Sequence, residues 1–150
     1  MGGILSAGPD RLTAAGARGI PQVISTGALD MVNFGPPGTI PARFQDRLFS
    51  RHNPTVTLMR TTPEEMARLG SELASKANAA IGPTRVMIPL RGVSAIDAEG
   101  KPFWWPEADA ALFAAIRSRI EPQLLIECDC HINDAAFAEA CAVQLLELLK

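Results

Sequence analysis

The apolar run Ile20-Pro21-Gln22-Val23-Ile24 stops at Ser25. The next residues, Thr26-Gly27-Ala28-Leu29-Asp30-Met31-Val32-Asn33-Phe34-Gly35, read as a glycine-bearing turn with a carboxylate and an amide. A strand buried on both faces reads as an unbroken apolar run, and the carboxyl end of such a strand is where an open parallel sheet builds ligand sites. The same break recurs after Thr55–Arg60, after Arg85–Leu90 and after Leu124-Leu125-Ile126. A chain with this repeat must place several polar turns along one sheet edge.

Helix-length segments separate the runs. Gly3-Ile4-Leu5 reads as a first short strand turning at Ser6-Ala7-Gly8-Pro9, and Asp10 caps a short helix over 11–17 that Gly19 ends. A Gly/Pro loop through Gly35-Pro36-Pro37-Gly38 precedes a helical turn or two over 41–48. Thr62-Pro63-Glu64-Glu65 has capping-box spacing with proline at the first helical position, and Met66, Leu69, Leu73, Ala74 and Ala77 mark one face before Gly82. Pro106 opens a helix bearing Leu112, Ala115, Ile116 and Ile120, and Asp134 opens a last one bearing Phe137, Cys141, Leu145 and Leu148. The pattern predicts a single α/β domain, three-layered and Rossmann-like or flavodoxin-like, with a mostly parallel sheet of about five strands.

Charge and composition exclude some functions. The formal net charge is -2, no basic run stands out and aromatics make up 5% without any tyrosine, so nucleic-acid binding is not expected. No apolar run approaches the ~18 residues of a membrane span. Met1-Gly2-Gly3-Ile4-Leu5-Ser6 fits the loose myristoylation pattern, but reads better as the start of a strand. Three cysteines, Cys128, Cys130 and Cys141, read as reduced thiols of a cytoplasmic protein. Cys128-x-Cys130-His131 lacks the second ligand pair that zinc needs, so no metal is predicted. Trp104-Trp105 reads as a packing plug or partner contact.

The polar residues after the strands are Ser25, Asp30 and Asn33; Thr61 and Thr62; Arg91, Gly92 and Ser94; and Asp129, His131 and Asn133. Arg51 and His52 sit just before the strand over 55–60. Together Ser25, Asp30, Asn33, Arg51, His52, Arg91, Gly92, Ser94 and His131 form the predicted ligand-binding set, although Asn, Asp and Ser also serve as caps and turn formers. Arg91-Gly92-Val93-Ser94 supplies a guanidinium, a flexible backbone and a hydroxyl for an anion. No Walker-type or dinucleotide-type glycine loop is present. Gly92-Val93-Ser94-Ala95-Ile96 begins like a nucleophile elbow but has Ile96 where the second glycine belongs.

Six ordered motifs give the chain a resemblance. Gly2-Gly3-Ile4-Leu5-Ser6-Ala7-Gly8-Pro9-Asp10-Arg11-Leu12, Gly27-Ala28-Leu29-Asp30-Met31-Val32-Asn33-Phe34, Arg51-His52-Asn53-Pro54, Leu58-Met59-Arg60-Thr61-Thr62-Pro63-Glu64-Glu65, Pro89-Leu90-Arg91-Gly92-Val93-Ser94 and His131-Ile132-Asn133-Asp134 together resemble the C-terminal part of the tomato mosaic virus resistance protein family, the Tm-one-like proteins. The resemblance covers essentially the whole chain. It implies a piece of the C-terminal domain of a longer protein with two α/β domains. It also implies ATP as a cofactor, at a site attributed to the N-terminal domain, and for the plant member an antiviral role through a viral replication protein.

These readings give three functions as expectations. The first is a small-molecule or nucleotide-binding domain of an ATP-linked protein, with an anionic ligand at the carboxyl ends of the strands. The second is a protein–protein interaction module without catalysis, and the third a hydrolase built on Ser94, His52 or His131, and Asp30. Apolar surface left by a missing half predicts a homodimer.

Overall fold

The computed structural model describes residues 2–150, so the part of the myristoylation pattern that falls on Met1 lies outside the described residues. In chain order the elements are α1 (Ala14–Ala17), β1 (Gln22–Ser25), β2 (Met31–Phe34), β3 (Phe49–Asn53), β4 (Val56–Arg60), α2 (Pro63–Asn78), β5 (Thr84–Pro89), α3 (Pro106–Arg119), β6 (Leu125–Cys128) and α4 (Ala135–Leu148). Short 3-10 turns cover Pro37–Thr39, Ala42–Phe44 and Pro122–Leu124. The strands divide into two three-stranded sheets. One is parallel, ordered β1-β5-β6, and the other antiparallel, ordered β2-β4-β3.

This corrects the expectation of one mostly parallel sheet of about five strands. A parallel neighbour needs a crossover of a dozen residues or more. Only Pro54 and Thr55 separate β3 from β4, and Asn53 Oδ1 accepts the N–H (2.9 Å) and hydroxyl (3.0 Å) of Thr55 to close a hairpin. From sequence, β2 reads as part of a turn and β3 as a polar prelude to the next strand. Gly3-Ile4-Leu5 is not a strand either; Ile4 and Leu5 sit in an exposed turn, where Ile4 N–H donates to Asn33 O at 2.9 Å.

The helix expected over 11–17 with Asp10 as its cap is shorter, Ala14–Ala17 behind Thr13 and without a side-chain cap, whereas the longer helices follow from local chemistry. α2 carries the expected capping box: Thr62 Oγ1 accepts Glu65 N–H at 3.3 Å, and Glu65 Oε2 accepts Thr62 N–H at 2.9 Å. Met66, Leu73, Ala74 and Ala77 of α2 pack with Leu112, Phe113 and Ile116 of α3 over Ile24, Val86 and Ile88 of the parallel sheet. Gly70 lets the two helices close, since a Cβ there would come within 2.5 Å of Leu112 O. Side chains alternate across a strand, so Met87 faces away from this core, toward α4, which lies against β1 and β5. Val32, Phe34, Phe44 and Met59 make a second, smaller core on the antiparallel sheet. Among the described residues no helix is long and apolar enough to cross a membrane.

Candidate functional site

Backbone hydrogen bonds bring four strand ends to one place. Ala28 N–H, after β1, donates to Val93 O at 2.9 Å, and Thr61 N–H, after β4, donates to Asp30 O at 2.9 Å. Thr61 Oγ1 also donates to Leu29 O at 3.0 Å. After β6, Cys130 O accepts Arg91 N–H at 3.1 Å and Ile132 N–H donates to Gly92 O at 3.1 Å. The antiparallel sheet thus contributes the carboxyl end of β4 to the edge formed by the parallel one.

A charged centre is buried beneath these loops. Arg60 is fully buried at the end of β4; its Nε donates to Phe103 O at 2.8 Å, its Nη1 to Thr61 Oγ1 at 3.2 Å and its Nη2 to Asp109 Oδ1 at 2.7 Å. Asp97 Oδ1 stands 3.5 Å from the same Nη2, while Asp97 Oδ2 accepts Val93 N–H at 2.9 Å. Ser94 Oγ donates to Asp30 Oδ2 at 2.6 Å, and both residues are buried. Asp30 Oδ1 and Asp97 Oδ1 have no hydrogen-bond partner among the described residues. Burial raises the Asp30 carboxyl above its ordinary value against the pull of the Ser94 hydroxyl, and Asp97 adds to the rise. Burial likewise pushes Asp109 up to about 7 although Arg60 opposes it. One guanidinium cannot hold three carboxylates ionised in a dry interior.

Of the predicted set, Asp30, Gly92, Ser94 and His131 come together. His131 Nε2 donates to Ser94 O at 3.0 Å and its Nδ1 accepts Asn133 N–H at 3.1 Å, which together fix the tautomer. No histidine is hydrogen-bonded to the Ser94 hydroxyl among the described residues, so the hydrolase arrangement lacks its base. Gly92 has φ +127° and touches the centre from above; a Cβ there would come within 2.0 Å of Asp97 O and 2.8 Å of the His131 ring. Arg91 leaves the same loop but turns outward, its Nε and Nη2 each 2.8 Å from a carboxylate oxygen of Asp129. That bond holds the Asp129 carboxyl below its ordinary range and the Arg91 guanidinium above its own.

The remaining members do not join them. Ser25 is exposed at the end of β1. Asn33 pairs with Leu58 inside the antiparallel sheet and faces a shallow cleft with Gly3 and Ser6. Arg51 pairs with Thr57, and His52 lies at the adjacent bulge, at the opposite end of that sheet from Arg60. Sequence reasoning passes over Arg60, Asp97 and Asp109. The signal for Asp109 is its place on the buried stripe of α3, three residues before Leu112 and seven before Ile116.

A cleft of about 190 Å³ opens beside the centre, walled by Leu90, Arg91, Gly92, Trp104, Pro106 and Asp109. Asp109 therefore belongs both to the buried centre and to the cleft. Larger hollows of about 370 and 340 Å³ lie between α1 and α2 and under residues 5–12. Lys76 and Glu72, which line both, pair with each other at 2.8 Å, and Arg11 also lines the second.

Against known proteins, the family described as "Uncharacterised protein family (UPF0261) C-terminal domain" matches residues 1–149. A UPF0261 protein of Clostridium tetani is 48% identical over 152 residues, covering 100% of this chain and 38% of that protein. A UPF0261 protein of Rhizobium meliloti is 51% identical over 143 residues, covering 93% of this chain and 36% of that protein. The ToMV resistance protein Tm-1(GCR237) of Solanum lycopersicum is 42% identical over 151 residues, covering 99% of this chain and 20% of that protein. The chain spans well under two thirds of each of these relatives.

Proposed function

Since the chain belongs to the UPF0261 family, as its C-terminal domain, we propose that it is a small-molecule-binding α/β domain. Its ligand sits at the carboxyl edge of the parallel sheet and presents an anionic group to Arg91. One observation carries this reading: Asp30 and Asp97 are fully buried where the strand ends converge, Asp30 with an unpartnered Oδ1, and the centre they belong to reaches a cleft through Asp109. A buried polar atom without a partner costs about 1–3 kcal/mol, and folding alone gives no reason to keep one. Functional sites do retain such costs.

Arg91 is suited to exchange its partner. Its side chain is 63% exposed and that of Asp129 76% exposed, and ion pairs this open contribute little to stability. A ligand carboxylate or phosphate replaces Asp129 with the same bidentate geometry. A triphosphate does not fit: no phosphate-cradling glycine loop is present, and the buried carboxylates outnumber Arg60. ATP therefore stays a proposal for the portion of the longer relatives beyond this chain.

The test is thermal shift with inorganic phosphate, propionate and ATP, since a ligand that binds only the folded state raises Tm. Phosphate or propionate should raise the Tm of the wild-type chain and leave that of Arg91→Ala unmoved. An equal rise in the variant would remove Arg91 from the site. The reading as an interaction module keeps one support of its own, the apolar outer face of α4, where Leu146 is 63% exposed.

A further inference from the structure

We infer that the ligand of this cleft is a zwitterion, with an ammonium group on Asp109 near Trp104 and a carboxylate or phosphate on Arg91. The inference rests on the binding reading above and names the ligand class.

Two opposite charges line one small cleft. Arg91 stands at its mouth, and Asp109 forms its inner wall with 8% of its surface exposed. Behind Asp109 the carboxyl groups outnumber the guanidiniums: Arg60 alone faces Asp97 and Asp109, Asp97 Oδ1 at 3.5 Å from its Nη2, with Asp30 close by. An added cation relieves that excess, whereas an anion placed there worsens it. A single carboxylate beside an aromatic side chain suits an organic ammonium. Trp104, 49% exposed on the same cleft, offers the aromatic face that such groups favour. A volume of about 190 Å³ suits a molecule of few heavy atoms, with its two charges a short chain apart.

Two pairs of probes test this by calorimetry: β-alanine against propionate, and phosphoethanolamine against ethyl phosphate. The aminated member of at least one pair should bind at least about tenfold tighter, the worth of one charge-assisted hydrogen bond. The pair that binds tells carboxylate from phosphate. Asp109→Asn should abolish the preference for the amine and leave the anion bound, while Arg91→Ala should weaken every probe.

The pH dependence of the wild-type chain supplies a readout that needs no variant. Arg60 and Asp97 face Asp109 from behind, and Arg91 lines the same cleft with its guanidinium turned to Asp129. Asp109 becomes ionised as pH rises through about 7, so β-alanine should bind more tightly at pH 8 than at pH 6 and propionate should not. Equal affinity for aminated and deaminated probes overturns the zwitterion and leaves the anion site standing. No binding by any of the four in the wild-type chain overturns both readings.

Discussion

Asp109→Asn should flatten the dependence of stability on pH. The Asp109 side chain is 12% exposed, and its carboxyl titrates at about 7 in the folded chain against an ordinary 3.8. Between those two values the folded chain keeps a proton that the unfolded chain has released. The folded state then binds more protons, so stability falls as pH rises through the window and levels off above about pH 7. At about 1.4 kcal/mol for each pKa unit, the full loss carried by this group is up to about 4 kcal/mol. Asparagine is neutral throughout and keeps an acceptor for Arg60 Nη2, so it removes the slope while sparing the bond. Asp30, also raised by burial, contributes a slope of the same sign that the variant retains. Glu127 and Asp129, held low by Arg117 and Arg91, act only at more acidic pH. Urea denaturation of both proteins from pH 5 to pH 8 reads the effect. A wild-type stability that is flat or rises across that range, or an equal slope in the variant, would refute the reasoning.

Packing makes two further outcomes testable. Gly92→Ala forces a Cβ against Asp97 O and the His131 ring at a φ of +127°; it should cost at least about 2 kcal/mol by urea denaturation, and a neutral result would deny that the loop is over-determined. Val143 and Leu146 on α4 and Leu149 just past its end are exposed by 51%, 63% and 60%, and we propose that a second copy of the chain covers them. Light scattering should then give a dimer that Leu146→Glu converts to a monomer, and a monomeric wild-type chain at high concentration would reject it.

Where local chemistry decides, the sequence is legible. The Thr62–Glu65 box, Pro63 and the Met66/Leu73/Ala77 stripe specify α2 without help from elsewhere, and the same holds for α3 behind Pro106. β3 is not legible because Phe49-Ser50-Arg51-His52-Asn53 is an edge strand, largely exposed, with no apolar alternation to display. β2 is only four residues long, and its alternation of Val32 and Phe34 is hidden in what reads as a continuing turn. The site divides in the same way. Ser94 and Asp30 announce themselves by following apolar runs. Arg60 looks like the polar end of a strand, and Asp109 like one acid among the first-turn acids of α3, though both face inward. Which polar residue turns inward is decided by a partner far along the chain: Arg60 and Asp109 are 49 residues apart.

The buried centre poses a last question: does it hold the fold together, or does the fold merely tolerate it? Removing one member of a buried charge group is costly, because it leaves its partners unpaired, whereas replacing the group by apolar side chains of similar volume is often neutral or stabilising. Arg60→Met alone strands Asp97 and Asp109 in the interior and leaves Phe103 O without its donor; it should cost about 3–5 kcal/mol. The combination Arg60→Met, Asp97→Asn and Asp109→Leu removes Arg60 and its two acidic partners together and leaves Asp30 with its bond from Ser94. The amide oxygen introduced by Asp97→Asn keeps an acceptor for Val93 N–H, which now donates to Asp97 Oδ2 at 2.9 Å. Urea denaturation should find this triple variant clearly more stable than Arg60→Met, while it gives up any preference for an ammonium-bearing probe. If the triple variant is instead no more stable than the single one, the centre is a structural keystone. Its burial would then need no ligand to explain it.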